Sequence, residues 1–214
     1  MPAFSEMERS LPQHPGGRLL RMFKWISGTT IVTLAIGVVI GIAVVLGAEQ
    51  MDHYTNTDKF CTACHLTGNL IAKSETFLKS THETRSSGVR PRCSDCHIPK
   101  GLVPATWTHV VKGVQDLYGE LRYDYTDPAV WQARRPELAH AVRDWMLAND
   151  SVTCRGCHNQ DAIKPEKKRG QVQHDEARES GMTCIACHYN LVHEEVEPRE
   201  SFLEKSSKGN KAAQ

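Results

Sequence analysis

Four short cysteine and histidine motifs hold most of the chemistry that this 214-residue sequence could perform. In each motif two cysteines stand three positions apart and a histidine follows directly, and together the motifs use all eight cysteines of the chain. Two thiols at this spacing can each form a thioether to one vinyl group of a heme, while the adjoining histidine binds the iron. The motifs therefore predict four heme c groups. The predicted attachment residues are Cys61, Cys64, Cys93, Cys96, Cys154, Cys157, Cys184 and Cys187, and the predicted proximal iron ligands are His65, His97, His158 and His188.

Paired cysteines also occur in disulfide frameworks, zinc knuckles and thioredoxin-like redox sites. None of these alternatives requires a histidine after every pair. Histidine fills 11 of the 214 positions, so four such placements by chance have a probability of about one in a hundred thousand, which favours heme.

Heme iron also needs a ligand on its second face, and three histidines outside the motifs are candidates for that role. His82 follows the first motif by 17 residues and precedes the second by 11, while His174 follows the third by 16 and precedes the fourth by 10. His193 lies five residues after the histidine of the fourth motif. The matching spacing predicts a duplicated domain with diheme units at about 55–103 and 150–197.

A long apolar segment near the N-terminus predicts a membrane anchor. Residues 25–48 contain no charged side chain, and as a helix they would extend about 36 Å, which is enough to cross a bilayer. The apolar part of a cleaved signal peptide would be shorter. Basic residues precede the segment and acidic residues follow it, so residues 1–24 are expected in the cytoplasm and residues 49–197 outside it.

The stretch 104–149 between the two diheme units is predicted to be helical. Pro104 suits a first helical turn, and after it apolar residues recur with helical spacing at Trp107, Val110, Val111, Val114, Leu117, Tyr118 and Leu121. His109 and Asp116 fall on the opposite face, which by itself predicts a solvated polar surface. A second helix is expected over 128–149, with a kink at Pro136. The polar residues 198–214 are predicted to be disordered.

Together these features predict a mainly α protein, with one transmembrane helix and an exported domain whose interior is filled by hemes. The net charge of +1 gives no sign of nucleic-acid binding. Whether the chain forms a homo-oligomer is left open by the sequence.

Several motifs resemble those of the NapC/NirT/NrfH family of membrane-anchored tetraheme cytochromes, which are quinol dehydrogenases. They include the dipeptides Phe60-Cys61 and Thr81-His82, together with the segments 96–100 and 183–188. The ending 191–195 resembles the membrane tetraheme cytochromes of ammonia-oxidising bacteria.

The resemblance implies an inner-membrane protein with a periplasmic heme domain. Such a protein moves electrons between the quinone pool and a periplasmic redox partner, either a reductase or a soluble cytochrome. Oxidation of quinol to supply a periplasmic reductase of a nitrogen compound is the first expectation, and return of electrons to quinone is the alternative. A terminal reductase acting at an open heme is a third option.

The resemblance also implies roles for particular residues. His82, His174 and His193 correspond to distal ligands, and His109 with Asp116 corresponds to a site of quinol oxidation beside the first heme. Some relatives have a methionine two residues after the first motif histidine, where this chain has Thr67. The sixth ligand of the first heme is therefore left open.

Overall fold

The computed structural model describes residues 28–64, 66–84 and 88–208 of the chain. No β-strand occurs among these residues, so the prediction of a mainly α protein is confirmed. The chain divides into two compact units, residues 1–48 and 49–214. In order, the helices are α1 Gly28–Thr55, α2 Asp58–Cys64, α3 Leu66–Ala72, α4 Glu75–Leu78, α5 Thr81–Thr84, α6 Cys93–His97, α7 Leu102–Arg122, α8 Pro128–Ala148, α9 Val152–Arg155, α10 Lys168–Ser180 and α11 Glu200–Ser207.

Helix α1 contains the predicted membrane anchor. Its most apolar window has a mean hydropathy of 2.8, and among the described residues it is the one helix with the length and composition of a membrane span. Residues 25–27 of the predicted anchor lie outside the described residues, and the helix continues past Ala48 to Thr55. Asn56 and Thr57 end it by donating side-chain hydrogen bonds to the carbonyls of Asp52 and Tyr54, each at 2.8 Å.

The two longest helices of the second unit follow the predicted boundaries closely. Gly101, with φ of 107°, provides the sharp turn before α7, and Pro104 lies in the first turn as expected. Asp127 begins α8, because its Oδ1 accepts a hydrogen bond of 2.8 Å from the backbone N–H of Ala129. Helix α8 is a single helix over Pro128–Ala148 with Pro136 inside it, where the missing N–H leaves the carbonyl of Gln132 without its usual helical donor.

The faces of α7 are arranged differently from the usual surface helix. Its small and polar side is the inward one, because Ala105 and Thr108 are buried and His109 is half-buried. Its predicted apolar stripe is mostly exposed, with Trp107 at 69% and Leu121 at 81%. The expectation that the polar side of α7 is a solvated surface is therefore wrong at His109, which is half-buried, whereas Asp116 is exposed as expected.

A small apolar core lies near the C-terminus. Because of it, the predicted disorder of residues 198–214 is wrong for residues 198–208. Residues 198–208 are ordered around α11, where Phe202 is 1% exposed and packs with Met146 and Ile185. The Phe202 ring also meets Tyr189 edge to face at 6.0 Å. Burial of one aromatic side chain anchors this short helix in an otherwise polar segment. The composition of the segment does not predict such an anchor. Residues 209–214 lie outside the described part of the chain.

We expect Phe202→Ala to destabilise the second unit by about 3–4 kcal/mol, because the removed ring leaves a cavity that the rigid surroundings cannot fill. Denaturant unfolding of the heme-loaded protein, followed by circular dichroism, measures this change. Leu203→Ala is the matched control, since Leu203 is in the same helix and 44% exposed. Equal losses in the two variants would contradict a buried anchoring role for Phe202.

Candidate heme-binding centre

Each cysteine motif lies in or overlaps a short helical turn, and in motifs two to four this spacing puts the two thiols on the same side of the backbone. The first two motifs are in α2 and α6, the third overlaps the end of α9, and the fourth begins with a 3₁₀ turn, Cys184–Ala186. In the last two motifs the histidine N–H donates to the carbonyl of the first cysteine, at 2.9 Å in both. His65 and the side chain of Cys64 lie outside the described residues.

The four motifs are neighbours in space in the same order as in the sequence. The Cys61 and Cys93 thiols are hydrogen-bonded, which lowers the pKa of Cys61 and raises that of Cys93. Burial, followed by the influence of the nearby Cys154, raises the pKa of Cys96 to about 11. Burial likewise raises the pKa of Cys154, with a further contribution from Cys184. Motif one therefore adjoins two, two adjoins three, and three adjoins four.

Similar hydrogen bonds join the two motifs within each half of the domain. Asp58 lies three residues before the first cysteine of motif one, and its Oδ1 accepts a 2.8 Å hydrogen bond from the backbone N–H of Cys93. Ser151 lies three residues before the first cysteine of motif three, and its Oγ accepts a 3.0 Å hydrogen bond from the N–H of Ile185. Both side chains thus fasten the start of one motif to the start of the next.

The Ser151 connection is fully enclosed. Ser151 is 0% exposed, has left-handed backbone angles (φ 50°, ψ 38°), and its hydroxyl is also 2.6 Å from the Thr183 hydroxyl. Asp150 before it has a φ of 50° as well. A non-glycine residue in this region carries a conformational cost, so the surrounding contacts must hold the turn in place.

Three pairs of imidazoles face each other across the domain. The ring centroids are 6.1 Å apart for His97 and His193, 6.1 Å for His82 and His158, and 6.0 Å for His174 and His188. An iron held between two imidazoles by metal–nitrogen bonds of about 2 Å would separate the centroids by about 6 Å. Each pair joins one motif histidine with one histidine predicted as a distal ligand. The residues therefore fit bis-histidine heme sites.

The same histidines lie in surroundings that favour the neutral form of imidazole. Burial and, to a smaller extent, the neighbouring His193 lower the pKa of His97 to about 4 against an opposing effect of Asp116. Burial also lowers the pKa of His193 and of His188, and in His188 the neighbouring His174 adds to the effect. Neutral imidazole is the form that binds a metal, so no proton has to be displaced at neutral pH.

His193 is held opposite His97 by two arginines of α8. Arg135 Nη1 donates hydrogen bonds of 3.0 Å to the carbonyls of both Glu194 and Glu195. Arg143, which is 5% exposed, donates from Nη2 to the carbonyl of Val196 at 2.9 Å. Sequence reasoning did not identify these arginines, because nothing in α8 itself shows that a loop about 50 residues later binds there.

The paired sites differ from a zinc centre. A structural zinc ion needs four ligands that converge on one point. Within the part of the chain that the structure describes, no group of three or more His, Cys, Asp or Glu side chains is placed to hold a metal ion together. Two opposed imidazoles instead suit a metal whose remaining ligands come from a porphyrin.

His109 and Asp116 lie two turns apart on α7, as predicted. His109 Nδ1 donates to the Ala105 carbonyl at 3.1 Å, which leaves Nε2 as its second hydrogen-bonding atom. Asp116 is close enough to raise the pKa of His97 in the second motif. The described residues therefore associate Asp116 with motif two, while its relation to His65 of motif one lies outside them.

The sequence places the chain in one family of multiheme electron carriers. The family model for the NapC/NirT cytochrome c family, N-terminal region, matches residues 24–198. The chain belongs to the NapC/NirT family, and it is a membrane-anchored tetraheme c-type cytochrome of electron transport.

Individual relatives agree with this placement. A probable tetraheme cytochrome c-type protein of Nitrosomonas europaea is 38% identical over 83% of this chain and 73% of its own length. TorY of Haemophilus influenzae is 37% identical over 76% of this chain, which spans 44% of that protein. The denitrification system component NirT of Stutzerimonas stutzeri is 34% identical over 75% of this chain and 79% of its own length. No solved structure matches the chain.

Ser151→Ala is expected to destabilise the domain by about 1–3 kcal/mol, because it leaves the Ile185 N–H and the Thr183 hydroxyl buried without their partner. The midpoint of thermal unfolding should fall, and a redox titration should show altered potentials for the hemes of motifs three and four. Ser207→Ala, in an exposed position of α11, is the control. An unchanged midpoint would show that the hydroxyl does not fasten the two motifs together.

Proposed function

We propose that the chain conducts electrons between the membrane quinone pool and a periplasmic redox protein through four covalently attached hemes. The three opposed histidine pairs are the observation that carries this proposal, since they repeat one metal-binding geometry at three places. Cys61 and Cys64, with the other three cysteine pairs, would hold the porphyrins, and His65 would be the proximal ligand at the first. A heme iron, when bound, supplies one-electron transfer between its ferric and ferrous states.

The ring pairs support a specific assignment of ligands. His193 is the distal ligand for motif two, His82 for motif three, and His174 for motif four, at centroid separations of 6.0–6.1 Å. Each distal histidine thus comes from outside its own motif. The sites of motifs two and three can form only when the two halves of the domain are folded together, whereas His174 and His188 both belong to the second half. Ligation by two imidazoles lacks the methionine that raises cytochrome potentials, so these three hemes have low potentials suited to quinone chemistry.

The order of the motifs supports a linear path through the two proposed diheme units. Cys61 contacts Cys93, Cys96 is close to Cys154, and Cys154 is close to Cys184, so electrons pass along the chain of motifs without skipping one. The Asp58 and Ser151 connections keep neighbouring porphyrins at fixed separations. Motif one, the motif closest in sequence to α1, is the end at which quinone exchanges electrons.

We assign proton transfer at the quinone end to His109 and Asp116. Quinol oxidation releases protons as well as electrons, and a carboxylate with an imidazole can accept them. The Ala105 hydrogen bond fixes the His109 ring so that Nε2 remains as the atom that can take a proton.

The expected direction is quinol oxidation, with a periplasmic reductase of a nitrogen compound as the acceptor. The similarity to the denitrification system component NirT supports this choice. In the membrane, residues 1–24 lie in the cytoplasm and the heme domain in the periplasm, as the basic residues before α1 indicate.

Replacing one distal histidine, as in His174→Ala, should convert one heme of four from low spin to high spin while all four stay attached. The change follows from the loss of one axial imidazole. Electron paramagnetic resonance of the oxidised protein measures it, and His53→Ala is the control because His53 is an exposed histidine. A spectrum like that of the parent would remove His174 from the ligand set.

Asp116→Asn and His109→Gln should slow heme reduction by a soluble quinol analogue by about 10²-fold or more, because each removes a proton acceptor. Stopped-flow absorbance at the ferrous heme bands follows the rate. Reduction by dithionite, which needs no such acceptor, should be unchanged, and Glu179→Gln on α10 provides a charge-matched control. Parent-like rates with the quinol analogue would leave both residues without a role in quinol oxidation.

A further inference from the structure

Helix α7 has a continuous apolar face that no other described part of the chain covers. The face consists of seven large apolar side chains that are each 57–81% exposed: Val103, Trp107, Val110, Val114, Leu117, Tyr118 and Leu121. Apart from the adjacent Leu117 and Tyr118, they are three or four residues apart, which aligns them along one side of a helix of five to six turns. We call this surface the apolar face of α7.

The opposite side of the same helix is the one that packs on the domain. Ala105 and Thr108 are 2% and 9% exposed, and His109, Lys112 and Glu120 are half-buried. Asp116, farther along the same side, is exposed. The apolar face therefore lies on the side of α7 opposite its buried residues.

An exposed apolar surface of this kind is expected to be covered by another protein surface or by a membrane. Soluble proteins rarely expose a contiguous apolar patch larger than a few hundred Å², and larger ones mark protein or membrane contacts. A surface helix normally buries its apolar stripe and shows its charges to water, and α7 does the reverse. The charged residues Lys112, Asp116 and Glu120 all lie off the apolar face.

We propose that the apolar face of α7 lies in the lipid interface of the membrane that α1 crosses. The chain is membrane-anchored, so a bilayer is an apolar surface available to the heme domain. Trp107 and Tyr118 belong to the residue types that concentrate at the boundary between hydrocarbon and water. An interfacial helix inserts its apolar side about 5–10 Å into the boundary region, which the side chains of this face can span.

The C-terminal end of α7 fits the same surroundings. Arg122 ends the helix, is exposed, and lies 5.5 Å from the centroid of the Tyr123 ring. A cation at this place can contact lipid phosphates while Leu121 beside it, at 81% exposure, enters the apolar layer. The contact would hold the domain in one orientation on the membrane, whichever way electrons flow, so it does not depend on the proposed function.

Photocrosslinking of the full-length, heme-loaded protein in lipid nanodiscs tests this surface. The photoreactive residue p-benzoylphenylalanine replaces Val114 in one variant and Leu121 in a second, and discs containing one protein copy are selected. Val172, an apolar residue of α10 that is 45% exposed, is the matched control position. Absorbance of the ferrous hemes and circular dichroism verify that each variant is folded and loaded.

Both α7 positions are expected to give phospholipid adducts, detected by mass spectrometry, in at least tenfold higher yield than the Val172 position. Two results would overturn the proposal. One is a lipid yield at both α7 positions no higher than at Val172. The other is crosslinking to a second copy of the chain in discs that contain two copies, with no lipid adduct in discs that contain one, which would assign the face to dimerisation. Electron-transfer rates do not enter either result.

Discussion

Bis-histidine ligation of an iron needs two imidazoles whose centres are about 6 Å apart, and much of the domain after α1 serves to meet this requirement three times. In two of the three pairs the partners are distant in the sequence, with 76 residues from His82 to His158 and 96 from His97 to His193. Helices α5 and α10 carry two of the distal histidines, and a loop held by Arg135 and Arg143 carries the third. Small errors in any of these supports would pull a nitrogen out of bonding range.

Such positions are maintained here mainly by hydrogen bonds, since the apolar core is small. Among the described residues the buried apolar side chains include only a few large ones, chiefly Tyr125, Met146, Ile185 and Phe202. The motif segments are too short to be stable helices by themselves. Buried polar links such as Ser151 with Thr183 therefore fix where each motif begins, and covalent attachment to heme would complete the interior. The cost of the left-handed turn at Asp150 and Ser151 shows how strongly that position is constrained.

Local features of the fold could be predicted from the sequence. Motif spacing predicted the heme-attaching cysteines and their histidines, and the predicted starts at Pro104 and residue 128 lie within two residues of the observed starts of α7 and α8. Which distal histidine faces which motif could not be predicted, because that depends on long-range folding. The same holds for Asp58 and Ser151, although an Asp or Ser three residues before a motif is a recognisable start of a helix. The segment that forms α11 was predicted to be disordered, because Phe202 is its one buried large apolar side chain and the rest of the segment is mostly polar. The orientation predicted for α7 was wrong because the apolar side of this helix does not face the domain.

The most direct test of this account is to locate the irons of the heme-loaded protein by anomalous X-ray scattering at the iron edge. The account requires four irons per chain. Three of them should lie between His97 and His193, between His82 and His158, and between His174 and His188, within about 2 Å of a nitrogen of each ring. Fewer than four irons, or a distal histidine bound to a different motif from the one assigned here, would contradict it.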